Sequence, residues 1–403
     1  MATEAIATAL PPRLRSKFWL GPAMLVAIHL ALILLFAVLA SSDLLRRETE
    51  GVMRADIVRY QHIAQTDGTP FRDFQVEYPP VSVAIIKLLS APDFIQTAIR
   101  VALFTLTLNF GIAALLGIGW GRRAALTYLV LGAPLSWFVY LRLDLLAVFL
   151  ALLAVVLARR EKDHWSGVSL SLAFLTKIWP IILTPLLVTG RTGKRAWLRF
   201  SGPVGVGCIA WVLWGGWGAP AQVATFRGAD GWQEESLVGS IVWGFFGGVP
   251  HHTGGAMRVG TAPVVYKLLL LVVVAAIAVG AWRLATKARP REPGDPLLVG
   301  LWATTTVAAL LVASPILSPQ YIAWLLPWAA IAAASGERLL GGIALSISLL
   351  TSLMWSLPTS SGNAFGSLLL MRNISLVALL VVGLLRLRRF RDASLQAGQL
   401  ALH

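Results

Sequence analysis

The sequence has few charged residues. Charged side chains make up 13% of its 403 residues, and hydrophobic side chains make up 57%. A soluble domain of average composition carries about 25% charged residues. The mean hydropathy is +0.74, which excludes an ordinary soluble domain. We therefore expect a polytopic membrane protein.

Cysteine and nucleotide-binding motifs are also scarce. Cys208 is the single cysteine and lies within an apolar run, so an intramolecular disulfide and a cysteine-rich metal site are both excluded. No glycine-rich phosphate loop follows a strand pattern, which argues against a cytoplasmic nucleotide-sugar donor. His251 and His252 are adjacent and lack the spacing of metal ligands. We expect neither a metal nor a cofactor.

Apolar runs occupy most of the chain. A basic stretch precedes the first run, as in a signal peptide, but that run has the length of a retained membrane helix. Residues 81–93 form a shorter apolar stretch that we expect at the membrane interface. Runs that approach the roughly 20 residues needed to cross a bilayer are found at 18–40, 96–120, 124–140, 143–158, 199–216, 263–285, 297–313, 320–335, 339–357 and 366–385.

The segment 165–190 contains two interruptions, Lys177 and Pro180. It is either one kinked helix or two short segments joined at the lysine. With two segments, 21 of the 34 basic residues fall on one side of the membrane, together with 7 of the 19 acidic residues. The positive-inside rule then favours about twelve crossings, with both termini in the cytoplasm.

The predicted fold is a single all-α domain, residues 1–403, in the plasma (inner) membrane. Two long loops, 41–93 and 217–262, then face away from the cytoplasm. Residues 41–80 hold seven of the nineteen acidic residues. A polar loop between apolar segments must lie at the membrane surface, where water solvates it.

Asp56 is the candidate general base of the first loop. Arg59 and Tyr60 follow one helical turn later, on or near the same face. A carboxylate beside apolar surface, with a cation within reach, suits proton abstraction or ligand clamping; a solvated acid in a local salt bridge is the alternative. Glu77 and Tyr78 precede two prolines that impose an extended entry into the next apolar segment. We therefore place both at the membrane boundary.

These residues resemble the first-loop signature of glycosyltransferase family 87, whose members are polytopic enzymes of the GT-C class. Such enzymes take a sugar from a polyprenyl-phosphate carrier. The middle element usually reads Gly-x-Pro-Tyr, and Phe71 replaces its tyrosine here. The resemblance rests on Asp56-x-x-x-Tyr60, Gly68-x-Pro70, Glu77-Tyr78-Pro79-Pro80, Thr176-Lys177-Ile178-Trp179-Pro180 and Ser318-Pro319-Gln320-Tyr321.

The resemblance implies a metal-independent, inverting transfer similar to that of the polyprenol-phosphate-mannose α-mannosyltransferases. Asp56 would deprotonate an acceptor hydroxyl, which would attack the anomeric carbon while the lipid phosphate leaves. Lys177 would bind that phosphate, because a lysine between apolar half-helices requires an anion or water. A lysine that merely extends to the outer surface is the alternative.

The remaining candidates are one charged turn and a set of residues that would contact substrate. Arg142 and Asp144 lie in a turn between two predicted spans, and we interpret them as an internal pair that closes the turn, with ligand binding as the alternative. The residues that would bind substrate are Arg59, Tyr60, Glu77, Tyr78, Gln320, Tyr321, His251 and His252.

The expected partners are a polyprenyl-phosphate sugar donor, a glycolipid or glycan acceptor and the lipid bilayer, with no nucleic acid. Mannose is the expected sugar, and arabinofuranose is the alternative within the family. A secondary transporter is a rival class, but it would place ionisable residues at mid-membrane and show two related halves. A non-catalytic lipid-binding protein is the second rival.

Overall fold

The computed structural model describes a large part of the chain, and the described part is mainly helical. This confirms the prediction of a helical membrane protein. The predicted first span at 18–40 and the first part of the polar loop lie almost entirely outside the described residues, which are 27, 29–31, 55–188, 194–225, 231–253, 256–287, 295–356 and 362–400.

The helices follow one another along the chain with few long connections. In order they are α1 (55–65), α2 (Pro80–Leu89), α3 (Phe94–Trp120), α4 (Arg122–Gly132), α5 (Ser136–Val139), α6 (Asp144–Arg159), α7 (Asp163–Thr176), α8 (Thr184–Val188), α9 (Lys194–Gly215), α10 (Ala219–Thr225), α11 (Leu237–Phe246), α12 (Val264–Lys287), α13 (Pro296–Ala313), α14 (Leu326–Ala334), α15 (Arg338–Trp355) and α16 (Gly362–Leu400).

Helix length and composition identify membrane spans within the described residues. The helices there that are long and apolar enough to cross a bilayer are Phe94–Trp120, Pro296–Ala313, Arg338–Trp355 and Ala364–Asp392. α3 shows how local sequence sets such a span. The Asp93 side chain accepts a hydrogen bond from the Gln96 nitrogen at its start, and Gly121 ends it with a φ of 87°.

Two predicted spans and the interrupted segment 165–190 are broken helices in the structure. Residues 124–140 contain α4, a 3-10 turn (Ala133–Leu135) and α5, and residues 320–335 combine a 3-10 helix (Pro319–Trp324) with α14. In 165–190, α7 ends at Thr176 and Lys177 is extended, with φ −147° and ψ 137°. A 3-10 helix (Trp179–Leu183) and α8 follow. Each 3-10 segment has a proline near its start, which removes a helical hydrogen bond.

The second long loop contains a small β-sheet, so the prediction of purely α structure was wrong there. Strands β1 (Trp232–Gln233), β2 (His251–Thr253) and β3 (Ala256–Val259) form an antiparallel sheet in the order β1-β3-β2. Trp232 pairs with Val259 in its register. The sheet fixes the position of the segment that leads into α11.

Charged contacts occur at both ends of the long helices. On α16, Arg386 lies 3.2 Å from Glu337, and Arg372 lies 3.8 Å from Glu235. With a rise of 1.5 Å per residue, these arginines are about 21 Å apart along the helix. The Trp355 indole at the end of α15 also donates to Glu235, at 3.4 Å. The bundle therefore has two polar ends separated by apolar packing.

The backbones of α13 and α14 approach each other closely. A Cβ atom added at Gly300 would lie 2.5 Å from the backbone nitrogen of Ala332. The Trp302 side chain on α13 and the Trp328 side chain on α14 are fully buried. Glycine at position 300 thus permits a close backbone approach that any larger residue prevents.

Replacement of this glycine should destabilise the bundle. We expect Gly300→Ala to lower the free energy of unfolding by about 1–3 kcal/mol, because backbone atoms cannot move aside as a flexible side chain can. Gly342→Ala is the matched control, since its added Cβ has nothing within 4 Å and alanine favours helix. Thermal unfolding of the two purified variants checks this, and equal midpoints would contradict the expected steric conflict.

Candidate active site

The first loop is attached to the bundle by apolar contacts. Ile57, Tyr60 and Ile63 are buried on one face of α1. Phe71 has a positive φ of 72° and lies edge-on to Trp211 and Trp214, with ring centroids 5.8 and 5.6 Å away. The position at which family members usually carry tyrosine therefore contributes an apolar anchor against α9.

Asp56 lies on α1 and forms a hydrogen-bonded ion pair with the Arg142 guanidinium. Its second carboxylate oxygen accepts a hydrogen bond from the Tyr78 hydroxyl at 3.3 Å. The side chain is 14% exposed, and that of Arg142 is 8% exposed. An arginine partner orients the carboxylate and favours its ionised form, the form that accepts a proton.

Arg59 and Glu77 form a second ion pair, which joins α1 to the extended residues before α2. The Arg59 Nε and Nη2 donate to Glu77 at 2.9 and 2.6 Å. Bidentate geometry of this kind fixes both side chains. The pair therefore holds the stretch that carries Tyr78 against α1.

Lys177 and Asp144 form a third ion pair at the break after α7. The Lys177 Nζ lies 3.3 Å from Asp144 Oδ1, and the Trp324 indole donates to the same oxygen at 2.9 Å. The ammonium also lies 5.7 Å from the Tyr78 ring centre and 5.3 Å from that of Tyr321. Tyr78 thus contacts both Asp56 and Lys177, the partner of Asp144.

The interpretation of Arg142 and Asp144 as a pair that closes its own turn is corrected by these contacts. Arg142 forms an ion pair with Asp56 on α1, and Asp144 forms one with Lys177. The turn therefore links two distant parts of the chain through charge. Sequence analysis weighed ligand binding for this turn but did not identify its two partners, which lie 86 residues before Arg142 and 33 residues after Asp144.

Tyr60 contacts both the turn that carries Arg142 and the ring of Tyr78. Its hydroxyl accepts a hydrogen bond from the Leu143 nitrogen at 3.3 Å, and its ring lies edge-on to Tyr78 at 5.8 Å. Burial, followed by the negative charge of Asp56, raises the pKa of Tyr60 well above 10. The phenol stays neutral and positions the turn, so Asp56 is the better candidate base.

Gln320 and Tyr321 lie in the 3-10 helix next to the charged cluster. Tyr321 stacks on Trp324 at 4.2 Å, and Trp324 stacks on Trp179 at 5.2 Å. Gln320 is 5% exposed, and its Oε1 has no hydrogen-bond partner among the described residues. The structure thus places Tyr321 against Lys177, with Gln320 next to it in the 3-10 helix; the role of both in binding stays a prediction.

His251 and His252 are not brought into the cluster. Both are exposed on β2, where they pair with Arg258 and Met257 of β3. Within the described part of the chain, no group of three or more histidine, cysteine or acidic side chains could hold a metal ion. A role for the two histidines in substrate binding remains a prediction.

Glu235 joins the second loop to the end of the bundle near the site. Its backbone oxygen accepts from Arg372 at 2.6 Å, and its carboxylate contacts Arg372 and Trp355. Burial raises the pKa of Glu235 to about 7, against the opposing charges of Arg372 and Arg142. Burial likewise raises the pKa of the neighbouring Glu234 to about 7. The sequence analysis did not identify Glu235 as a candidate, because no local sequence pattern indicates that a loop glutamate is buried.

The fold and the charged cluster define a helical membrane protein with a polar site at one end of its helices. A sequence model of glycosyltransferase family 87 matches residues 76–315, more than half of the chain. The chain therefore belongs to glycosyltransferase family 87 and is a membrane glycosyltransferase. The match includes Glu77 and Lys177, whereas Asp56 and Tyr321 lie outside it. A search of the curated proteins found no match.

The pH dependence of stability tests the burial of Glu235, which lies outside the membrane-spanning segments. Its pKa in the folded protein, about 7, exceeds the ordinary value of 4.5. The folded protein therefore binds more protons between these values than the unfolded chain, and its stability decreases as the pH rises through this window. We expect the thermal midpoint to fall between about pH 5 and about pH 8, and to fall less in Glu235→Gln.

Glu337→Gln is the control for this measurement, because Glu337 pairs with Arg386 at the other end of the bundle. It should retain the decrease shown by the wild type. Equal decreases in the wild type and in Glu235→Gln would show that Glu235 is already ionised in the folded protein.

Proposed function

We propose that this glycosyltransferase moves mannose from a polyprenyl-phosphate carrier to a hydroxyl of a glycolipid or glycan, with inversion and with Asp56 as general base. One observation carries the proposal. A partly exposed carboxylate, oriented by Arg142 and Tyr78, lies one aromatic ring away from the Lys177 ammonium. A base and a cation for a phosphate leaving group are the two charges that this reaction needs.

The proposed reaction balances with these groups. The acceptor hydroxyl gives its proton to the Asp56 carboxylate, and its oxygen forms a bond to the anomeric carbon. The bond between that carbon and the phosphate oxygen breaks, and its electron pair remains on the lipid phosphate. Attack from the face opposite the phosphate inverts the configuration. Nearby fixed cations stabilise the departing phosphate without a strong acid.

Lys177 is the cation that we assign to the lipid phosphate. Its side chain is 17% exposed, whereas that of its partner Asp144 is 3% exposed. Asp144 is also held by Trp324, so it can orient the ammonium while the exposed side of Lys177 meets an incoming anion. The Tyr78 and Tyr321 rings flank the ammonium and limit its movement.

We further propose that the site opens outside the cytoplasm, in a single domain of about twelve crossings with both termini in the cytoplasm. α7 supports this orientation. It begins at Asp163, which pairs with Arg199 of a basic cluster at 2.8 Å, and it ends one residue before Lys177. The basic cluster therefore lies about 21 Å from the site along the helix, on the side that the positive-inside rule assigns to the cytoplasm.

Membership of the family argues against the transporter and the non-catalytic lipid-binding protein. The sugar can be tested with two donors, polyprenyl-phosphate mannose and polyprenyl-phosphate arabinofuranose. We expect transfer from the mannose donor; transfer from the arabinofuranose donor alone would replace mannose in the proposal.

Removal of the base should abolish most turnover. We expect Asp56→Asn to bind donor and to lower kcat by about 10²–10⁴-fold, because the amide cannot accept the acceptor proton. Transfer by purified protein from polyprenyl-phosphate mannose to lipid acceptors measures this effect. The control is Asp67→Asn, an exposed acid of the same loop. Equal rates for Asp56→Asn and wild type would remove Asp56 from the mechanism.

Removal of the ammonium should weaken donor binding. We expect Lys177→Met to raise the donor Kd about tenfold or more, since a charge-assisted hydrogen bond to phosphate is lost. Lys87→Met is the matched control, because Lys87 is exposed on α2. An unchanged Kd in Lys177→Met would contradict phosphate binding and favour the alternative, in which the lysine merely extends to the outer surface.

A further inference from the structure

Two buried glutamine side-chain oxygens, one in the second loop and one in the 3-10 helix, lack a hydrogen-bond partner among the described residues. They are the Oε1 atoms of Gln233 and Gln320, in residues that are 7% and 5% exposed. An unpaired buried acceptor destabilises a fold, and such groups in native proteins are nearly always satisfied. Both lie at the 3-10 helix that carries Tyr321, whose ring contacts Lys177, and this points to a bound ligand as the missing donor.

The Gln233 amide reaches the site from the second loop. Its Nε2 donates to Ser318 Oγ at 3.2 Å, and Ser318 is the N-cap of the 3-10 helix. Positions three apart share one face of a 3-10 helix, so Ser318 lies in line with Tyr321 and Trp324. Those two rings contact Lys177 and Asp144. Gln233 is thus held beside the aromatic face of the site.

The backbone around Gln233 is fixed before any ligand binds. Its nitrogen donates to the Pro315 oxygen at 3.0 Å, and its oxygen accepts from Ser236 at 2.9 Å. A Cβ atom added at Gly239 would lie 2.0 Å from that oxygen, so the first turn of α11 packs directly on it. A fixed amide of this kind is suited to selective recognition.

The same loop segment is held by the end of the bundle. Glu235 is two residues beyond Gln233, and its backbone oxygen accepts a hydrogen bond from Arg372 at 2.6 Å. Its carboxylate accepts a hydrogen bond from the Trp355 indole at 3.4 Å. Together with the bond from Gln233 to Ser318, these contacts fix the second loop against the bundle and the 3-10 helix.

We propose that Gln233 and Gln320 bind hydroxyl groups of a sugar ring, with each side-chain carbonyl accepting one hydrogen bond. The identity of the ligand rests on the proposed function. A sugar ring carries several hydroxyl donors in fixed directions, whereas an ionised phosphate diester has only acceptors. The two oxygens therefore recognise the sugar, and Lys177 recognises the phosphate.

Binding to the purified full chain in nanodiscs tests this division, with two probes: polyprenyl-phosphate mannose and polyprenyl phosphate without a sugar. We expect Gln233→Leu and Gln320→Leu each to raise the Kd of the sugar-bearing lipid by about tenfold. Their Kd for the bare lipid should remain that of the wild type. Lys177→Met should weaken the binding of both lipids.

Asn109→Leu is the matched control for loss of a buried amide. The Asn109 side chain is 4% exposed, and it is bonded at both ends, to Tyr140 at 3.0 Å and to Tyr128 at 2.7 Å. The Asn109→Leu variant should leave the Kd of the sugar-bearing lipid and the Kd of the bare lipid unchanged. The inference would be overturned if both glutamine variants bound the sugar-bearing lipid as tightly as the wild type and also kept the wild-type KM for the acceptor.

The acceptor sugar is the second source of hydroxyl groups. With methyl α-mannoside as the acceptor probe, a tenfold higher KM in Gln233→Leu beside an unchanged donor Kd would assign the amides to the acceptor. A wild-type protein that prefers the sugar-bearing lipid but transfers no sugar would contradict the proposed function and leave this inference standing.

Discussion

The ion pair between Asp56 and Arg142 joins the polar first loop to the membrane bundle. Both side chains are largely withdrawn from water, and a buried charge without a partner destabilises a fold strongly. The same constraint applies to Lys177 and Asp144 on the other side of Tyr78. Each charge in the cluster is therefore tolerated because a residue from another part of the chain neutralises it.

Apolar and charged contacts have different parts in docking this loop. The buried face of α1 and the contact of Phe71 with the α9 tryptophans supply apolar burial, which is favourable but not directional. The ion pairs then fix which way the polar side chains point. Arg59 and Glu77 hold Tyr78 in place, so the Asp56 carboxylate is oriented by charge on one side and by a phenol on the other.

The second loop completes the same end of the molecule. The small sheet carries Gln233 to Ser318, and α15 and α16 hold Glu235 through Trp355 and Arg372. Both long loops thus rest on the broken segments of the chain, at Lys177 and at the 3-10 helix with Tyr321. Irregular backbone near a membrane is tolerated where protein buries it, and here it also positions polar side chains.

The sequence by itself determined the membrane class, most helices and the candidates Asp56 and Lys177. Run length and the cost of charge near lipid are local properties, which residue order records directly. Tertiary structure alone decided the partners of Arg142 and Asp144, the burial of Glu235 and the strands of the second loop. Neighbours in sequence suggested an internal pair in the turn, but ion pairing depends on which distant groups packing brings within about 4 Å.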